Sequence, residues 1–371
     1  MTPVFIDLTE FFAARERTGI QRVCAEMCRC WPDQNLVPVK LTRDRGLVRL
    51  SQSALGSIHG YFQGHLDELS EQAEASGEPL ELSGGVKVLV PELFYDPQRV
   101  DFFRRLSPEQ WKSFHFILYD LLPFTHPEFF APDLPHEIIH GYCWVVRQAQ
   151  HVAFISGATR RAYYQRLLRE FTTPGPVLRL GSDSLGSRAT APPQRDPRHK
   201  FSVVGTIEPR KNHALILEVF EKLNKDRRVH LTFLGKMGWV DSWLSDKIRA
   251  MAKEAWFEYQ PQPSDEDIRN CVQESRATIY ASAVEGFGLP PVESLWLGTP
   301  VITAPNIPSL EVIASHGVHI VDPMDAEGLS KAVLAFLDDT YLESKTREAL
   351  QLPLPTWRSF AAEAAAWISR L

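Results

Sequence analysis

Residues 277–303, ATIYASAVEGFGLPPVESLWLGTPVIT, admit few folds. ATIYAS is apolar and β-prone, so it reads as a buried strand. Val292, Leu295, Trp296 and Leu297 have helical spacing, and Pro290 and Pro291 suit a first helical turn, where backbone N–H groups lack partners. PVIT, reached through Gly298, reads as the next strand. A strand, a glycine turn, a helix and a strand in that order form a parallel crossover unit. Open sheets of such units bind ligands at the carboxyl ends of their strands. The turn leaves a helix N-terminus that attracts anions, and Gly286 and Gly288 let a ligand approach the backbone. Glu285 and Glu293 bracket the turn and are expected to point toward the same mouth. That set suits a ligand carrying both phosphate and hydroxyls; a Gly-Pro loop with solvated acids fits the spacing too.

The same alternation runs through the chain. In the first half PVFIDLT (3–9), LVPVKL (36–41), GLVRL (46–50), KVLVPEL (87–93), FHFILYD (114–120) and HVAFIS (151–156) read as strands, and 51–86 as loop with some helix. PVLRLGSDSLGSRATAPPQRDPRHK (176–200) turns rich in Ser, Pro, Arg and Asp midway, the composition of a linker. Strands at 201–205, 230–235, 257–260, 277–282, 300–303 and 319–322 then alternate with helices. The expected fold is α/β, two doubly wound Rossmann-like domains facing each other across a cleft. The expected boundaries are 1–182, a linker at 183–199, 200–354, and a C-terminal helix at 355–371 that packs back on the first domain.

The 371 residues suffice for two domains. A net charge of −6 argues against wholesale nucleic-acid binding. Five cysteines without framework spacing, Cys24, Cys28, Cys30, Cys143 and Cys271, suit a reducing compartment. MTPVFIDLTEFF lacks the basic and apolar regions of a signal peptide, and no apolar run approaches the ~20 residues of a membrane span. The chain is expected in the cytoplasm.

Several stretches carry candidate chemistry. GTIEPRKN (205–212) follows a strand, ends in Arg210 and Lys211, and opens a helix at Asn212, a favoured N-cap type; two cations beside a helix start suit a diphosphate. GKMGW places Lys236 and Trp239 after the next strand. In SDED (264–267), Asp265 and Asp267 form an acid-x-acid pattern, which helix capping from Ser264 explains without a metal. Gly19 stands where a loop meets a helix, either for phosphate approach or as a plain helix start. Asp120 and His126 follow a strand end, placed for proton handling or for orienting a hydroxyl; a turn-capping Asp and a His packed on Phe129 or Phe130 fit equally. Arg160, Arg161, Arg166 and Arg169 with Tyr163, Tyr164 and Phe171 make a basic, aromatic helix, either a membrane-surface contact or a solvated face.

With these pieces in hand, the second half resembles the retaining GT-B glycosyltransferases of the large group 1, glycogen synthase-like family, through GTIEPRKN, LGKMGW, SDEDI, SAVEGFGLPPVES, LGTPVITAPNIPSLEVI and VDP (321–323). EGFGLPPVE reproduces that family's Glu, seven residues, Glu motif. TGIQRV, YDLLPFTHPEFF and ISGATRR are similar to bacterial members that assemble surface polysaccharides. The resemblance implies an acceptor-binding first domain and a nucleotide-sugar-binding second one. It implies that Gly19 lies by the donor diphosphate, that Arg210 and Lys211 neutralise it, and that Glu285 holds hydroxyls of the transferred sugar. Backbone groups of Gly286, Phe287, Gly288 and Leu289 would contact sugar and phosphate, Glu293 the ribose, and Asp120 would lie near the reacting carbon and, with His126, on the acceptor side, which makes Asp120, Glu285, Arg210 and Lys211 the expected catalytic set. It implies a retaining hexosyltransferase without metal or cofactor, working from GDP-mannose, or from a dTDP- or UDP-sugar, on a lipid-linked glycan at the cytoplasmic face of the inner membrane. A sugar-nucleotide-binding subunit without turnover stays open. Two positions depart from the family: Tyr119 precedes Asp120 where many members have His, and Thr206 follows Gly205 where many have Arg, a charge Arg210 would replace.

Overall fold

The computed structural model describes residues 2–13, 18–51, 54–55, 58, 60, 77–94, 96–130, 134–168, 174–313 and 316–370. Most of the 51–86 stretch read as loop and helix, and Arg169 and Phe171 of the basic helix, lie outside the described residues. The chain divides into two compact units, Met1–Gly181 with Pro355–Leu371, and Ser182–Leu354.

The first unit is built on a six-stranded sheet, β1 (Val4–Asp7), β2 (Leu36–Thr42), β3 (Gly46–Arg49), β4 (Lys87–Val90), β5 (Phe114–Leu118) and β6 (His151–Phe154), in the order β3-β2-β1-β4-β5-β6. The neighbours run parallel except β2 and β3. These form an antiparallel hairpin closed between Thr42 and Gly46, so the sheet departs from the all-parallel expectation at one edge. Strands buried on both faces need continuous apolar runs, and β5 supplies one with all five residues buried. Phe103, Phe114, Phe116 and Trp111 pack edge to edge and tilted beside it, each buried ring contributing about 1.5–3 kcal/mol. The helix Trp357–Ser369 closes this unit: Trp357 is wholly buried, Trp367 meets the His115 ring edge-on, and Lys87 Nζ donates to the Ile368 carbonyl at 2.7 Å.

At this sheet's switch point, between β1 and β4, sits a buried ionic knot. Arg99 donates to Asp7 at 2.7 Å, to Glu92 at 2.9 Å and to Glu10 at 3.0 Å, and lies over the Phe94 ring. Glu92 in turn accepts the Glu10 and Phe11 backbone N–H groups, satisfying the start of the helix Thr9–Ala13. Burial, with Asp7 and Glu10 close by, pushes Glu92 up to about 7 against the pull of Arg99.

The second unit carries β7 (Lys200–Val204), β8 (His230–Leu234), β9 (Phe257–Gln260), β10 (Ala277–Tyr280), β11 (Val301–Thr303) and β12 (Val318–Ile320) in the order β12-β11-β10-β7-β8-β9, parallel throughout. Its core joins Phe201, Phe220, Phe233, Ile279 and Phe336. Residues 183–199, read as a linker, belong to this unit. The Arg195 guanidinium reaches the Gln273, Ser275 and Gly298 carbonyls and the Thr299 and Thr346 hydroxyls, and Trp296 donates to the Gly186 carbonyl. Polar composition suggested a tether, but Arg195, Arg188, which donates to the Leu350 carbonyl at 3.0 Å, and the Trp296–Gly186 bond bind the segment down. Among the described residues, no helix is long and apolar enough to cross a membrane.

Candidate active site

The order of the second sheet reverses between β7 and β10, whose register pairs Ala277 with Phe201 and Thr278 with Ser202. Their carboxyl ends therefore release the loops 205–212 and 281–288 side by side, where an open α/β sheet forms its crevice. The loops are stitched together: the Ala283 N–H donates to the Arg210 carbonyl at 2.8 Å, and Arg210 Nη1 to the Val284 carbonyl at 3.1 Å. Asn212 begins the helix His213–Leu223, but not as the side-chain cap its type suggested. It sits in the left-handed region at φ 54°, and its amide reaches instead to the Ala281 and Pro323 carbonyls. That side chain fastens the ends of β7, β10 and β12.

Four charged groups meet there. Arg210 lies between Glu208, at 2.8 Å, and Glu285, with which it forms a close ion pair. Burial raises the Glu285 carboxyl, but Arg210, Lys211 and the Tyr280 hydroxyl outweigh it and hold the group below the usual carboxylate range. The Arg210 side chain is 13 % exposed and is held by two acids and a carbonyl. It ties the loop 205–212 to the loop 281–288. Lys211 differs. Its side chain is 11 % exposed, and its nearest carboxylate oxygen, on Glu208, is 3.8 Å away. Burial lowers its pKa, with Glu208 and Glu285 opposing and Arg210 assisting. The ammonium lies over Gly205, where a Cβ would come 2.8 Å from Nζ; φ is +130° there, so glycine supplies both conformation and room.

The other wall is the turn 286–288 and the helix Leu289–Trp296 that it opens. Gly288 has φ 90° and ψ 76°. Pro290 and Pro291 remove two of the helix's first N–H groups, so donors to an anion must come from the 286–289 backbone together with the helix dipole. Serine and tyrosine back the turn: Ser309 N–H donates to the Phe287 carbonyl at 2.9 Å, and the Ser309 hydroxyl and Tyr280 ring lie against Gly288. A methyl group at Gly288 would come 2.6 Å from Ile307 Cγ2. Gly288→Ala is thus expected to cost about 1–3 kcal/mol through left-handed strain and overlap, seen as a lower melting temperature; an unchanged melting curve would mean the turn relaxes freely.

Glu293 lies one turn into that helix at 7 % exposure. The second unit thus brings together Arg210, Lys211, Glu285, Gly286, Phe287, Gly288, Leu289 and Glu293. Gly19, Asp120 and His126 belong to the first unit, Gly19 in the connection from β1 to β2 and Asp120 and His126 in the connection that follows β5. Gly19 opens the helix Gly19–Cys30 under a reciprocal cap between Thr18 and Gln21, and a Cβ there would meet open space. Asp120 accepts the Leu122 N–H at 3.0 Å, His126 shares a hydrogen bond with Thr125, and its ring lies 6.5 Å from Phe129. Tyr119, at the position where the resemblance leads one to expect histidine, is buried and donates to the Pro91 carbonyl at 2.8 Å. Ser264 and Asp267 form a reciprocal helix cap. On the basic helix Tyr163 and Tyr164 turn inward, to the Val146 carbonyl and the Gly175 N–H, while Arg161 and Arg166 stay exposed. A surface hollow of about 510 Å³ lined by Arg195, Asn270, Gln273 and Glu274 contains none of these site residues. Glu208, Tyr280 and Ser309 were not singled out by sequence; Glu208 alone left a trace, three residues before Lys211.

Two sheets of this topology define a class. HepE of Anabaena, solved with UDP and glucose, matches over 100 % of both chains with a TM-score of 0.69 at 12 % identity, and a sucrose-phosphate synthase from Thermosynechococcus elongatus over 100 % of this chain and 99 % of its own with 0.66 at 13 %. These likenesses establish the two-domain GT-B fold. Residues 190–351, most of the second unit, match the family model described as Glycosyl transferases group 1. Among characterised relatives, O-antigen chain mannosyltransferase B of Escherichia coli is 34 % identical over 151 residues, 40 % of this chain and 39 % of that protein. Serotype-specific mannosyltransferase WbdA of the same species is 28 % identical over 243 residues, 60 % of this chain and 29 % of WbdA. The chain therefore spans well under half the length of either relative.

Proposed function

We propose that the protein is a retaining, metal-independent glycosyltransferase that moves a hexose, foremost mannose from GDP-mannose, to a lipid-linked glycan during assembly of a bacterial surface polysaccharide. The observation that carries this reading is the placement of Lys211, a buried ammonium with loose pairing, beside the glycine turn anchored by Glu285. The choice of mannose rests on the names of the E. coli relatives.

On this reading Lys211 and the 286–289 backbone receive the donor diphosphate, and the dipole of the helix Leu289–Trp296 adds to them. As the bond to the sugar breaks, negative charge grows on the leaving phosphate, and groups fixed beforehand around it lower the barrier. Glu285 orients sugar hydroxyls, Glu293 takes the ribose, and Asp120 and His126 serve the acceptor side. The lipid-linked acceptor places the reaction at a membrane surface.

A thermal-shift panel of GDP-mannose, dTDP-rhamnose and UDP-hexoses, run with EDTA present, tests the donor. A ligand that binds only the folded state raises the melting temperature. GDP-mannose is expected to give the largest rise and EDTA to leave it unchanged. A rise that vanishes in EDTA and returns with manganese would overturn the metal-independent reading, and a larger rise with another donor would overturn mannose.

A further inference from the structure

Glu208 is 6 % exposed and faces both cations of its own loop, 2.8 Å from Arg210 Nε and 3.8 Å from Lys211 Nζ. Four charged groups share this buried space, and with both acids ionised and both bases protonated they sum to zero. Arg210 cannot lose its proton, and it is already divided between Glu208 and Glu285. Lys211 can lose its proton, and everything around it except the two carboxylates favours that loss. Its surroundings are low in water, and the Arg210 charge is next door. Facing it from the helix His213–Leu223 is His213, held neutral by burial and by Lys211 itself at a pKa of about 3. Tyr280 of β10, whose hydroxyl bonds to Glu285, is also held neutral by burial. The loop after β8 bonds to this loop through its backbone, the Lys236 carbonyl accepting the Ile207 N–H, while the Lys236 side chain is exposed.

We propose that Glu208 is a positioning residue that keeps Lys211 charged: it anchors Arg210 against Glu285 and holds the Lys211 ammonium protonated at a distance that leaves its N–H groups for a diphosphate. This deepens, and rests on, the donor-binding function proposed above. The geometry separates two duties that the sequence presents as one basic pair. Arg210 is the clamp that ties the two loops, and Lys211 is the cation that meets the ligand. Among the described contacts Lys211 Nζ donates no hydrogen bond, and a contact of 3.8 Å is a charge interaction more than a committed bond. An amine that had lost its proton in this site would offer neither charge nor a full set of donors.

The sign of the effect is fixed. An opposite charge within about 4–6 Å favours the charged form by about one to three pH units, so removing it lowers the Lys211 pKa and moves the alkaline loss of diphosphate affinity to lower pH. The test uses the full chain labelled with 13C at lysine Cε, with the Lys211 signal assigned by its disappearance in Lys211→Arg. Its titration midpoint is compared in the wild type, Glu208→Gln and Glu208→Asp, alongside calorimetric titration of GDP and UDP at each pH. In Glu208→Gln the midpoint is expected to fall by about one to three units, with affinity lost at correspondingly lower pH. Glu208→Asp, which keeps the charge, should remain near wild type, and it carries the comparison if the Gln variant folds poorly. A midpoint unmoved in folded Glu208→Gln, or moved equally in Glu208→Asp, overturns the proposal and leaves Glu208 a structural residue. A midpoint that moves as expected while neither nucleotide binds the wild type at any pH overturns the donor reading, and the diphosphate half of the proposal with it.

Discussion

Replacing Lys211 with alanine is expected to lower transfer from the donor by about 10²–10³-fold while the fold survives. The magnitude follows from the position of the amine. A preorganised donor aimed at charge that develops in the transition state contributes about 2.7–4 kcal/mol in a site shielded from water. The helix dipole and the 286–289 backbone would remain, so some turnover should persist. Stability should change little, because Lys211 is buried at a cost and pairs only loosely with Glu208; its loss leaves Glu208 still bonded to Arg210. Initial rates of donor hydrolysis and transfer, read with a melting curve, make the check. Turnover like that of the wild type in Lys211→Ala would remove the diphosphate assignment.

Arg99→Leu is expected to have the largest effect on stability, about 3–5 kcal/mol, and to be worse at high pH. Arg99 is 1 % exposed and is the shared partner of Asp7, Glu92 and Glu10. Breaking a buried ion network by removing one partner strands the others. Here three carboxylates would be left at the junction of β1 and β4. The pH dependence follows from Glu92, already pushed up to about 7 by burial and by its acidic neighbours, against about 4.3 in an unfolded chain. A carboxyl raised in this way contributes stability in its protonated form. That contribution is complete below the unfolded value and disappears as pH rises through the folded one. Without Arg99 the folded value moves higher still. The variant should therefore be least stable near pH 8 and recover toward pH 5. Urea unfolding at both pH values measures this, and an equal deficit at both would show that the carboxylates stay ionised.

The architecture was legible in the sequence because strands buried on both faces announce themselves as apolar runs separated by helical periods. β5, β8 and β10 show this plainly. The antiparallel β2–β3 edge was less visible, since both strands carry the same apolar signal and direction depends on the short turn between Thr42 and Gly46. The residues that surround the candidate site were legible as a group, because glycine, proline and acidic residues stand together in EGFGLPPVE. Their division of labour was not. Arg210 and Lys211 are neighbours in sequence, yet one is clamped by Glu208 and Glu285 and the other is not, a difference made by which way each side chain leaves the short turn Pro209–Lys211. The segment 183–199 misled for a related reason. Composition records polarity, but whether Arg195 faces water or five acceptors from the rest of its unit is decided by packing.

The measurement closest to the central claim is a crystal structure of the full chain with GDP-mannose or GDP. The account predicts diphosphate oxygens within hydrogen-bonding distance of Lys211 Nζ and of backbone N–H groups in 286–289, with Arg210 still held between Glu208 and Glu285. A diphosphate seated elsewhere, for instance in the hollow by Arg195 and Asn270, with Lys211 untouched, would contradict it.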